Sequence, residues 1–151
     1  MSESEKIAAS FEAFYDGQCW IGLNFLEAVK GVDERLAAAK RKASFNTIWQ
    51  LVNHLIYWRK TVIIRLQGIL ANPPMPDFYQ PEKTSLKAWE ETLFHFDEVQ
   101  KQLVSAIRAF PSADLEKASP MKGQTYYQLL TGCLQHDAYH MGQMVLLKKE
   151  K

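Results

Sequence analysis

Apolar residues recur at steps of three and four in four long stretches of this chain of 151 residues. This spacing places them on one face of an α-helix, where they can be buried together. Glycine and proline, which disfavour helix, fall mostly between these stretches. The sequence therefore predicts an all-α protein in which residues 1–151 form one domain.

The beginnings and ends of these helices carry their own signals. Thr47 and Thr125 each precede a glutamine by three positions, the arrangement of a capping box. Residues 33–42 leave room for a short additional helix capped by Asp33. Gly17 and Gly22 lie within the first apolar stretch, and we interpret them as points of close helix packing. The four main helices are expected at about residues 4–30, 47–67, 84–109 and from 125 onward.

Two histidines in the last helix, His136 and His140, are spaced to bind one metal ion together. Residues four apart lie one turn above each other on the same face of a helix. His54 in the second helix is the candidate for a third ligand. If the two helices are antiparallel, His54 lies about 20 Å from their shared end, at the same height as the midpoint between His136 and His140. If they are parallel, the heights of His54 and of this midpoint differ by about 9 Å.

Antiparallel second and fourth helices require one connection that returns along the length of the bundle. The proline-rich residues 71–84 can extend over about 45 Å, which is long enough. We therefore expect an up-down-down-up four-helix bundle with this crossover between the second and third helices, onto which Phe78 and Tyr79 would be anchored. Residues 111–124 are almost as long, so a bundle with parallel third and fourth helices remains an alternative.

Other residues are candidates to support the three histidines or to bind the metal ion themselves. Gln143, one turn beyond His140, and Asp137, beside His136, are candidates to support the ligands, although Asp137 could instead be a surface residue. Cys133 is expected in the packed core, and His95 falls beside the apolar stripe of its helix. Imidazole suits Zn, Ni, Cu and Fe, so the metal is not determined.

The composition of the chain argues against nucleic acid and membranes as partners. Lys plus Arg number 18 and Asp plus Glu 17, a formal net charge of +1, which argues against non-specific binding to nucleic acid. No apolar run is long enough for a membrane span. With no signal peptide recognisable, the two cysteines are expected as free thiols in a reducing cytoplasm.

The residues 47–54, Thr-Ile-Trp-Gln-Leu-Val-Asn-His, followed far downstream by His-Asp-Ala-Tyr-His-Met-Gly-Gln at 136–143, resemble the DinB-like (YfiT-like) superfamily. The resemblance covers nearly the whole chain. It implies a four-helix bundle, a divalent metal ion held by His54, His136 and His140, and a homodimer. Characterised relatives include thiol transferases that use a low-molecular-weight thiol and a mycothiol-dependent isomerase.

Two classes of function are consistent with these residues. One is a metalloenzyme, a thiol S-transferase or a hydrolase, whose metal (Zn, Ni or Fe) lowers the pKa of a low-molecular-weight thiol or of water. The other is a non-catalytic, stress-related binding or scaffold protein with a structural metal or none. A ferritin-like di-iron protein is rejected because it needs paired Glu-x-x-His motifs, and Glu91 lies four residues before His95.

Overall fold

The computed structural model describes residues 1–150. These residues form helices and connections, with one isolated bridge between Ala118 and Thr125 and no strand. No helix among them combines the length and the apolar composition that crossing a membrane requires. The elements are α1 (Glu3–Tyr15), α2 (Phe25–Val29), α3 (Glu34–Ala38), α4 (Ile48–Leu66), α5 (Leu86–Ala109), a short 3-10 turn (Ser112–Asp114) and α6 (Tyr126–Lys149).

The prediction of one first helix over residues 4–30 is wrong, because α1 and α2 are separated by a loop. Gly22 adopts φ +77°, a left-handed conformation that glycine tolerates and that ends regular helix. Asn24 then begins α2: its side chain accepts from the backbone N–H of Glu27, whose carboxylate accepts from the N–H of Asn24. Ile21, which helical spacing would bury, is exposed. Gly17 and Gly22 therefore mark a break rather than close helix packing.

The predicted starts of the later helices are confirmed by their caps. Thr47 and Thr125 each form a complete capping box with the glutamine three residues on. Ser85 caps α5, and Asp33 caps the short α3. Each such cap contributes on the order of 1 kcal/mol by satisfying an amide that the helix itself leaves free. The local sequence therefore sets where these helices begin.

Helix α4 is the central element of the fold. Along its 19 residues only Ile64 is exposed, because α5 covers one side and α6 another. Trp49 Nε1 donates to Thr92 Oγ1 of α5 at 3.0 Å, and further along both helices Arg59 donates to Gln100. The apolar pattern of α4 is thus accounted for by packing within the chain.

Helix α1 completes the packing against α5. Gln100 Nε2 donates to the backbone carbonyl of Phe11 at 3.0 Å, and Tyr15 donates to Asp97 at 2.9 Å. Both bonds join α1 to the middle of α5, where Phe96 is fully buried. The first helix therefore supports α5.

The proline-rich connection between α4 and α5 lies along the first half of α4. Asn53 Nδ2 donates to the carbonyl of Tyr79 at 2.8 Å, and Gln50 Nε2 donates to the carbonyl of Phe78 at 3.3 Å. The ring of Phe78 is half-buried against the core, as expected of an anchor. The side chain of Tyr79 is exposed, so this residue contributes its backbone rather than its ring. These contacts hold Asp77 and Phe78 beside His54.

Candidate metal centre

Three imidazole rings from two helices converge at one point. Ring nitrogens of His54, His136 and His140 all lie within 4.8 Å of one another. His54 Nε2 and His136 Nε2 are 2.9 Å apart. The structure therefore brings together the three residues that the sequence singles out as metal ligands.

The helices position these rings in a simple way. His136 and His140 lie one turn apart on the face of α6 that packs against α4, with ring centroids 4.5 Å apart. His54 reaches them from α4, with its ring centroid 4.9 Å from that of His136 and 4.6 Å from that of His140. Helical spacing supplies the pair, and packing of α4 on α6 supplies the third ring.

A side-chain oxygen lies near Nδ1 of each ring, and at His140 the contact is a hydrogen bond. His140 Nδ1 lies 2.6 Å from Gln143 Oε1. His54 Nδ1 lies 3.2 Å from Asp77 Oδ2, and His136 Nδ1 lies 3.8 Å from Asp137 Oδ1. An acceptor at Nδ1 favours the tautomer that carries its proton there, which leaves the Nε2 lone pair free to bind a metal.

The surroundings favour the neutral form of His54 and His140. Burial is the largest effect on His54 and, with the nearby rings of His140 and His136, it lowers the pKa of His54 to about 4. Burial also lowers the pKa of His140, against the opposing hydrogen bond to Gln143. A neutral ring is the form that ligates a metal. Both residues are therefore ready to act as ligands at neutral pH.

Aromatic side chains wall the centre on the α4 side. Phe78 stacks on His54, with ring centroids 3.9 Å apart and planes within 7°. Trp58 lies 5.6 Å from His136 and 6.2 Å from His54, centroid to centroid. These rings fix the orientation of the imidazoles and limit access of water from that side.

Asp137 is part of a buried ion pair and is not a surface residue. Arg59 Nη2 and Nε donate to its Oδ2 at 2.7 and 3.1 Å, and both side chains are fully buried. Arg59 also donates to Gln100 and lies 4.4 Å from the ring of Phe96. This network ties α6 to α4 and α5 directly behind His136.

The residues fit a metal ion. Two nitrogen ligands of a tetrahedral ion with bonds of about 2.0–2.1 Å are about 3.3 Å apart, so small ring rotations suffice. Three of the buried atoms that lack a hydrogen-bond partner lie at the centre: His54 Nδ1, Asp137 Oδ1 and Trp58 Nε1. His54 Nδ1 lies 3.2 Å from the carboxylate of Asp77, and Asp137 Oδ1 lies 3.8 Å from Nδ1 of His136. Rotations of the rings toward a shared ion could complete both contacts.

The remaining candidates lie outside the cluster. His95 is exposed on α5. Cys133 is buried one turn before His136, and burial raises the pKa of its thiol well above the usual range. It is not grouped with the three histidines, and it is buried as expected.

Sequence reasoning missed three residues around the centre. Asp77 was treated only as part of an irregular connection. Arg59 and Arg65 were not considered, although each is a charged residue in a helix that is otherwise apolar on most sides. A cation at such a position usually has a buried partner or a function.

Two cavities flank the centre. One of about 220 Å3 is lined by His136 itself, together with Trp58 and Arg65. The other, of about 520 Å3, lies on the side of Gln143 and is lined by apolar residues such as Leu51 and by charged ones such as Lys149. A ligand bound in the smaller cavity would touch a histidine of the cluster directly.

The fold and the site define an all-helical protein with a three-histidine cluster suited to a metal ion. The chain belongs to the DinB superfamily, whose family model matches residues 23–144. The comparisons with curated proteins and with solved structures gave no significant match. The family assignment made from the histidine motifs is thereby confirmed.

Proposed function

We propose that His54, His136 and His140 bind one divalent metal ion, Zn, Ni or Fe, and that the loaded centre is catalytic. It would activate a low-molecular-weight thiol or water for reaction with a small-molecule substrate, in the manner of a thiol S-transferase. The observation that carries this proposal is the orientation of the rings. Three ring nitrogens lie within 4.8 Å of one another, and a side-chain oxygen lies within 3.8 Å of Nδ1 of each ring.

When bound, the metal would lower the pKa of a thiol or water in an open coordination position. The chain supplies the remaining requirements. Asp77 and Gln143 orient two of the ligands, and Trp58 and Phe78 restrict water around the rings. The cavity beside His136 gives a small molecule access to the centre.

Elemental analysis of the freshly purified protein tests the metal site. We expect one transition-metal ion per chain in the wild type and almost none in His54→Ala. His95→Ala is the matched control, because His95 is exposed on α5 and outside the cluster. Equal metal content in wild type and His54→Ala would contradict the site.

Turnover tests the chemistry. The metal-loaded protein should consume an electrophile from a small panel in the presence of one common cellular thiol, and His54→Ala should not. No turnover with any divalent metal would contradict the enzymatic proposal.

The alternative is a non-catalytic binding or scaffold protein with a structural metal. It is favoured by one observation: the cluster joins α4 to α6, and Asp77 extends it to the connection. In that case a chelator would lower the melting temperature strongly and affect no activity.

We further propose the up-down-down-up bundle, with the crossover between α4 and α5. Residue numbers rise together in the contacts between α4 and α5, from Trp49–Thr92 to Arg59–Gln100, as in parallel helices. Between α4 and α6 they run in opposite directions, as in antiparallel helices. Leu51 shares one cavity with Leu147, and Val62 shares the other with Cys133.

The homodimer, the cytoplasmic location and the absence of nucleic-acid or membrane partners remain predictions. The homodimer rests on the family resemblance. Light scattering that gave a monomer at micromolar concentration would contradict it.

A further inference from the structure

The smaller cavity beside the histidine cluster contains a buried positive charge. Its volume is about 220 Å3, and its wall includes Trp58, Arg65, Gly132, Cys133 and His136. Arg65 is the only arginine or lysine in this wall, and no acidic residue lines it. The cavity wall therefore carries the positive charge of Arg65 and, at another point, the imidazole of His136 from the proposed metal centre.

Arg65 differs from the other buried arginine of α4. Arg59 is neutralised by Asp137 at 2.7 Å. Arg65 is only 4% exposed, yet it forms no ion pair with a carboxylate of residues 1–150. Its Nε donates to the carbonyl of Ala71 at 2.8 Å, and its Nη2 lies 3.4 Å from Asn72 Oδ1.

One nitrogen of this guanidinium is still available. Nη1 has no hydrogen-bond partner in residues 1–150, and Arg65 is part of the cavity wall. Trp58 lies 5.4 Å from the guanidinium carbon, ring centroid to Cζ, and supports its position. A buried cation without a counter-ion is costly, and an anion that enters the cavity would remove that cost.

We propose that this cavity binds the carboxylate end of the small-molecule substrate through Arg65, and that the rest of the molecule extends to His136. The proposal rests on the proposed function for the role of the bound molecule, but binding of the anion itself needs neither metal nor thiol.

The chemistry of the wall favours a monoanion. A phosphate dianion would leave one charge unpaired beside the single guanidinium, whereas a carboxylate matches its charge and its planar donors. Cys133 stays a neutral thiol, because burial raises its pKa, and it does not repel an anion. A cavity of about 220 Å3 is smaller than most drug-sized sites, so the acid has only a few carbon atoms.

Titration with propionate, followed by nuclear magnetic resonance of the Arg65 Nε–Hε signal, tests this site. The signal is assigned as the one absent from Arg65→Lys. We expect saturable shifts with propionate and none with propionamide, which has the same shape but no charge. Equal responses to the two compounds, or tighter binding of methyl phosphate than of propionate, would overturn the proposal.

Two further variants separate binding from folding. For these variants the titration is followed on the indole N–H signal of Trp58, which lines the same cavity. Arg65→Gln should weaken propionate binding by about tenfold or more, because a charge-assisted pair is lost. The matched control is Arg35→Gln, which removes the same charge from an exposed position on α3 and should bind as the wild type does. Binding that is unchanged in Arg65→Gln would overturn the proposal.

Gly132→Leu places a side chain in the cavity and leaves the charge of Arg65 in place. A Cβ at Gly132 would meet nothing within 4 Å, so the variant should fold. We expect it to lose propionate binding at an unchanged or higher melting temperature, and retained binding would contradict the assignment of the cavity. Elemental analysis reports on the metal and this titration on the anion site, so failure of one proposal is distinguishable from failure of the other.

Discussion

The carboxylate of Asp77 lies 3.2 Å from the ring of His54, Oδ2 to Nδ1. Asp77 belongs to the proline-rich connection, which contacts α4 through the Asn53 side chain and the carbonyl of Tyr79. Phe78, the next residue, stacks on the same imidazole. The connection is therefore part of the proposed metal centre as well as the link between two helices.

Asp77→Asn should weaken metal binding while the three proposed ligands remain. The carboxylate favours the proton on Nδ1 and increases the basicity of Nε2, and loss of such a partner typically costs about 10- to 100-fold in metal affinity. Competition with a chromophoric chelator measures this change.

Glu82→Gln provides the control for Asp77, because it removes an exposed carboxylate from the same connection. It should leave the metal affinity unchanged. An Asp77→Asn protein with wild-type affinity would show that the carboxylate does not support His54.

Asp137→Asn should strongly destabilise the fold. It leaves the fully buried Arg59 without its counter-ion, and removing one partner of a buried pair costs about 3 to 5 kcal/mol. Urea denaturation monitored by circular dichroism would measure the lower free energy of unfolding.

Lys101→Met is the comparison for this buried pair. Its ammonium lies 2.6 Å from Asp97 at the surface, where solvent screens the attraction, so little change is expected. Similar losses in the two variants would mean that the Arg59–Asp137 pair is not a main determinant of stability.

The metal-free protein should lose stability as the pH falls from about 6.5 to about 4. The unfolded chain binds a proton at His54 near its usual pKa of 6.5, whereas burial lowers the pKa of the native ring to about 4. Between these values the unfolded state binds more protons, so lowering the pH favours unfolding. Above this range both states are neutral and His54 contributes no slope.

Melting temperatures at a series of pH values, in the presence of a chelator, test this expectation. His54→Gln removes one titrating ring and should make the curve between pH 6.5 and 4 shallower, while His140, whose pKa is also lowered, keeps part of the slope. A slope that is as steep in His54→Gln as in the wild type would assign the effect to other groups.

Local chemistry explains why several helix starts were predictable. The side chains of Thr47, Thr125 and Ser85 satisfy amides within three residues, so the signal and the structure lie in the same short segment. The first helix was mispredicted because apolar periodicity continued through the break. The left-handed Gly22 and the Asn24 cap outweighed that pattern.

The helices that carry the histidines and the one-turn spacing of His136 and His140 were predictable, because these features depend on neighbours along the chain. The level of His54 along α4 also indicated it as their partner. The packing of the helices was needed to place Asp77 behind His54, to pair Asp137 with Arg59, and to bring Arg65, which has no counter-ion among residues 1–150, to the wall of a cavity. Those relationships join residues far apart in sequence, and the packing of α4 against α5, α6 and the connection creates them.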